Sequence, residues 1–110
     1  MKLITVPLTQ EALKFLDLDV CPENKLEQLN LSEDEYQQPT KSGIIENINS
    51  KLGKLIDDYE DESIQSVTEL TNMLEILMIA AIPENPDLLK KLIKLTNTAL
   101  ENNTGIFFFF

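Results

Sequence analysis

The sequence predicts an all-α protein, an irregular bundle of about five helices with short extended segments at the N- and C-terminal ends. Two long stretches carry that expectation. Ile44, Ile45, Ile48, Leu52, Leu55, Ile56 and Tyr59 recur at helical spacing, and so do Ile64, Val67, Leu70, Leu74, Leu77, Met78 and Ala81. A third observation agrees with them. Only 3 Gly and 5 Pro punctuate 110 residues, which disfavours a many-turned β architecture. The length fits a single domain over 1–110, and 43% hydrophobic residues are enough to build a core.

The elements are expected in this order. Leu3, Ile4 and Val6 form a short extended segment that Pro7 ends. Thr9 is placed as the N-cap of a first helix over 10–17, with Ala12, Leu13 and Leu16 on one face. Pro22 suits the first position of a second helix, with Leu26 and Leu29 on its buried side. Ser32 and Glu35 have the spacing of a capping box, so a third, short helix runs through Tyr36. Pro39 to Gly43 is a break. The helix that follows reaches Tyr59 and tolerates Gly53, which close approach of a neighbouring helix would explain. The next runs from about Glu62 to Ile82. It is apolar nearly all round from Met73 onward, which predicts a central position. Asn85 and Pro86 start the last helix, and Asn102, Asn103 and Gly105 stop it. The closing Ile106-Phe107-Phe108-Phe109-Phe110 is expected to fold back over the bundle. Insertion into a partner's groove or an oligomer interface is the alternative.

Charge restricts the partners. Nineteen carboxylates face nine lysines, with no His, for a formal net charge of −10. Direct binding of nucleic acid or an anionic membrane is disfavoured, and a basic protein partner is favoured. Residues 1–62 hold 14 acids and 6 lysines, a net of −8, while residues 63–110 carry a net of −2. The longest apolar run, Ile76 to Ile82, is far shorter than the ~20 residues of a membrane span, and the N-terminus lacks the apolar core of a signal peptide. A single cysteine, Cys21, excludes an intramolecular disulfide and suits a reducing compartment. A cytoplasmic protein is expected.

Chemistry is restricted as well. Without His, neither the commonest general base nor a Ser-His-Asp or Cys-His arrangement exists in the chain. No phosphate-binding glycine loop is present. The expectation is a protein that is not an enzyme and uses no cofactor and no metal. Asp57, Asp58, Glu60, Asp61 and Glu62 crowd together but lack the glycine and closing glutamate of a calcium loop. Asp61 and Glu62 would be stabilised at a helix N-terminus, whereas Asp57 and Asp58 lie at the unfavourable end of the preceding helix, which points to binding. Glu33, Asp34 and Glu35 form a second patch at a helix start. Tyr36 and Tyr59 lie beside the two patches. Tyr36 is a candidate interface anchor, and Tyr59 is expected to end the buried stripe of its own helix.

Two resemblances follow from these residues. The segment Glu62-Ser63-Ile64-Gln65-Ser66-Val67-Thr68-Glu69-Leu70 resembles the start of the second helix of acyl carrier proteins, with Glu and Ile in place of the motif's Asp and Leu. That resemblance implies Ser63 as a phosphopantetheine attachment site. In size, acidity and absence of catalytic groups the whole chain resembles the small acidic immunity proteins of bacterial toxin systems, including contact-dependent growth inhibition. No motif is shared. The resemblance implies a cognate toxin domain, often a basic nuclease, whose active site is blocked by an acidic surface. A subunit that self-associates through its Phe tail is a third reading.

Overall fold

The computed structural model describes residues 2–18 and 22–110, and it is an α/β protein. Among the described residues five α-helices and one short 3-10 helix (Glu23–Lys25) accompany one antiparallel sheet: β1 (Lys2–Pro7), α1 (Gln10–Asp17), β2 (Leu26–Leu31), α2 (Glu33–Lys41), α3 (Ile44–Leu52), β3 (Asp61–Ile64), α4 (Val67–Ile79), α5 (Pro86–Asn102) and β4 (Ile106–Phe109). The strand order is β2-β1-β4-β3. Ile4 pairs with Leu29 on one side and Phe108 on the other, and Glu62 pairs with Phe108.

The all-α expectation is therefore corrected, and the physical reason differs from strand to strand. Both terminal segments are interior strands of the sheet. β1 lies between β2 and β4, and β4 lies between β1 and β3, and the consecutive residues Ile4 to Pro7 and Ile106 to Phe108 are buried, so side chains on both faces of these strands are covered there. A continuous apolar run such as Ile106 to Phe110 is what a strand covered on both faces requires. Phe108 and Phe110 meet edge-to-face on one side, and Phe107 stacks with Phe109 on the other. In β2, Leu26 and Leu29 fit a helical period, but Leu29 and Leu31 also fit a period of two, and the second spacing is realised.

The core lies between the sheet and α2 to α5. Ile4, Val6, Leu31, Ile64, Ile106 and Phe108 meet Ile48 of α3, Leu70 and Leu77 of α4, and Leu88 and Leu92 of α5. Several local signals read from the sequence hold. Thr9 caps α1 by accepting from the Ala12 N–H, and Ser32 and Glu35 close the capping box of α2. Asn85 caps α5 with Pro86 in its first turn, and Asn103 ends it in the left-handed conformation. α2 continues through Pro39 to Lys41.

The two longest expected helices are shorter than their periodicity suggests. Gly53 ends α3 at φ 63°, and no atom would meet a Cβ there, so its role is a helix stop and not a close approach. Ile56 remains buried because the Asn49 side chain donates to its carbonyl (3.0 Å) and accepts from its N–H (2.8 Å). That clamp turns the chain back and keeps an apolar residue in helical register without a helix. α4 starts at Val67 behind the Ser66 cap, because residues 61–64 are taken by pairing with β4. It is not central: Met78 and Ile79 are exposed. Cys21, and with it the reading of the lone thiol, lies outside the described residues.

Candidate functional site

Antiparallel pairing decides where the acidic segments meet. β1 and β3 begin at the sheet end where β2 and β4 finish. Glu33-Asp34-Glu35 directly follow β2, and Asp57 to Glu60 directly precede β3. The two acidic segments of the sequence therefore lie at the same end of the sheet. β2 and β3 are its two edges, three strand spacings apart, or roughly 14 Å. Lys2 lies between them on β1.

Lys2 joins the two sides. Its Nζ pairs with Asp58, donates to the Phe110 carbonyl at 3.1 Å, and lies 4.8 Å from the centre of the Tyr36 ring and 5.3 Å from that of Tyr59. Its ammonium is held above the ordinary lysine range, first by the hydrogen bond to Asp58, against the opposing effect of burial. The charges of Asp58 and Glu33 then add to it. The Tyr36 phenol is pushed up chiefly by burial, and then by the negative charge of Asp58 and Asp57. Residues from both acidic segments thus act on one lysine.

The predicted site residues divide into two groups. Asp57, Asp58, Glu60 and Asp61 are exposed at this end, as is Glu33 across from them. Asp57 accepts from the Asp58 N–H at 2.8 Å. Among the described residues there are two ion pairs, Lys2–Asp58 and Lys54–Glu69, so Glu33, Asp57, Glu60 and Asp61 are not neutralised by a lysine. Glu35 and Glu62 serve the fold instead. Glu35 accepts from the Ser32 N–H in the capping box. Glu62 accepts from the N–H groups of Leu55 (3.0 Å) and Ser63 (2.9 Å). The Leu55 bond chiefly draws its carboxyl below the usual range; burial opposes this, and the Ser63 bond and Lys54 charge reinforce it. Asp34 faces a groove along α2 lined also by Gln37, Gln38, Lys41, Ser42, Pro83 and Glu84.

Three readings of individual residues are corrected. Asp61 and Glu62 lie in an edge strand, not at a helix N-terminus, and Asp57 and Asp58 lie in a loop well past the end of α3. The two tyrosines exchange roles: Tyr36 is 3% exposed and meets Phe110 edge-to-face, while Tyr59 is 94% exposed. Ser63 is in β3 opposite Phe107, with its Oγ accepting from Gln65 Nε2 at 3.0 Å. A strand position removes the helix start on which the carrier resemblance stood. Sequence reasoning missed Lys2, for which no sequence signal exists, and the exposure of Tyr59, for which Gly53 as a helix stop was the available signal. Among the described residues no His, Cys, Asp and Glu side chains gather in a metal-binding group, and no helix is long and apolar enough to cross a membrane.

No family model matches the sequence, and no curated protein matches it. Among solved structures, the Neisseria DNA mimic protein DMP12 is similar in fold, with a TM-score of 0.71 over 100% of both chains at 15% sequence identity. A likeness at that identity establishes a shared fold.

Proposed function

We propose that this protein binds a DNA-binding protein by standing in for the duplex, with the carboxylates at the sheet end taking the place of phosphates. The observation that carries the reading is the convergence of two acidic segments, distant in sequence, on one end of the sheet around a single lysine. Two acidic banks about 14 Å apart are comparable in separation with the ~12 Å width of the B-DNA major groove. The fold shared with a DNA mimic protein supports the same reading. Opposite charge would accelerate encounter and set orientation, and DNA would be excluded by occupancy. No catalytic group is needed for that action. A basic nuclease toxin is a partner of this class, and its neutralisation by a cognate immunity protein would proceed in this way.

The test is capture of partners from the source cell on immobilised protein, followed by elution with duplex DNA. A partner that DNA displaces, and that cannot hold both ligands at once, is expected. A partner that binds DNA and this protein simultaneously would refute the reading.

A further inference from the structure

Tyr59 combines three features that occur together in no other described residue. Its side chain is 94% exposed, the most of any large hydrophobic residue described. Its backbone is left-handed, at φ 64°, a conformation that residues with side chains avoid. The third feature is chemical: one face of its ring already receives an ammonium, Lys2 Nζ at 5.3 Å.

The strained backbone is held in place. The Tyr59 N–H donates to the Phe110 carbonyl at 2.9 Å, and the Phe110 N–H donates to the Glu60 carbonyl at 3.3 Å. Glu60 N–H closes a turn onto the Asp57 carbonyl at 3.3 Å. The loop thus continues the β3–β4 ladder by one step and presents the ring outward. With Lys2 over one face and nearly the whole side chain exposed, the opposite face is open to solvent. Exposed carboxylates of Asp57 and Asp58 precede it in the chain, and those of Glu60 and Asp61 follow.

We infer that the open face of Tyr59 is the landing site for an arginine side chain of the protein partner, with the flanking carboxylates receiving its N–H groups. The inference rests on the DNA-mimic reading above and names what that surface grips. A guanidinium is planar, weakly hydrated and able to stack on an aromatic face while its edges pair with carboxylates, whereas an ammonium is a compact, strongly hydrated point charge. DNA-binding surfaces use arginine for phosphate and base contacts alike. A ring with one face free, set beside the exposed carboxylates of Asp57, Glu60 and Asp61, which no lysine pairs, is complementary to such a surface. A phosphate lacks the apolar, π-rich face, so Tyr59 would add a contact that a phosphate does not offer to the partner.

The experiment uses two defined probes, a peptide of ten arginines and a peptide of ten lysines, titrated calorimetrically at low salt. Wild type, Tyr59→Leu and Tyr59→Phe are compared. The wild type is expected to prefer the arginine peptide. Tyr59→Leu should weaken arginine-peptide binding about two- to fivefold, the range for a cation on an exposed ring, and should remove the preference. Tyr59→Phe should retain it. The side chain is exposed, so both variants should melt like the wild type, and circular dichroism verifies this. Equal affinity for both peptides in the wild type, or an unchanged preference in Tyr59→Leu, overturns the role of Tyr59 and leaves acidic docking standing. Binding of neither peptide to the wild type removes both.

Discussion

Neutralising the sheet-end carboxylates should make this protein more stable and less able to bind. The informative variant carries Asp57→Asn, Glu60→Gln and Asp61→Asn, and spares Asp58 because Lys2 would lose its partner. Asn at 57 keeps the oxygen that accepts from the Asp58 N–H, and no side-chain hydrogen bond is recorded for Glu60 or Asp61. The substitutions therefore remove charge and little else. Glu60 adjoins Asp61 and closes a turn onto Asp57, so the three carboxylates are close neighbours, and unit charges about 7 Å apart in water repel by roughly 0.6 kcal/mol before screening. Relieving a few such repulsions should stabilise the fold by about 1 kcal/mol at low salt, which raises the melting temperature by ~4 °C for a domain of this size. At 1 M salt the Debye length is ~3 Å, so the gain should vanish. Association with a partner recovered by capture should slow by about tenfold at low salt and converge with wild type at high salt. A control with Glu46→Gln, Glu75→Gln and Glu101→Gln has the same net charge, with its changes away from the sheet end. Differential scanning calorimetry and stopped-flow mixing measure the two effects. Should the sheet-end variant melt lower at every salt concentration, or the control lose association equally, the carboxylates are structural or act only through net charge, and the argument is wrong.

Other outcomes follow from single contacts. Ser32→Ala opens the capping box beneath Glu33 to Glu35 and should cost about 1 kcal/mol, read from urea unfolding. Gly105→Ala would place a Cβ 3.0 Å from the Ile64 carbonyl oxygen and 3.2 Å from Gln65 Cα, so a cost of roughly 1–3 kcal/mol is expected from the same measurement. Glu62 is held below its ordinary value of 4.5, so its contribution is present above that value and is lost as pH falls through the lower folded value. Thermal melts from pH 6 to 2.5 should show a shallower acid slope for Glu62→Gln. That variant should also be less stable at neutral pH, because an amide has one acceptor oxygen for the two N–H groups that the carboxylate serves.

Part of the candidate site was legible before the fold was known. Glu33, Asp57, Asp58, Glu60 and Asp61 stand out by composition, and exposed charge is a property of residues that needs no tertiary information. Glu35 and Glu62 stand out equally, yet each spends its oxygens on backbone N–H groups. In the case of Glu35 the capping-box spacing announced this. For Glu62 it depended on where the chain around Leu55 returned, which no local pattern records.

Local chemistry governs the helix caps at Thr9, Ser32 and Asn85, the helix ends at Gly53 and Asn103, and the acidity of the surface, because each is settled within a few residues of chain. The sheet is different. β4 pairs with β1 across about a hundred residues, and β3 is a strand only because β4 lies beside it. Its four residues, Asp61 to Ile64, carry little strand signal of their own. The apolar spacing in β2 fits both a helix and a strand over so short a span, and hydrogen bonding to a distant segment breaks the tie. Where the two acidic stretches meet, and which tyrosine faces the solvent between them, are consequences of that long-range pairing.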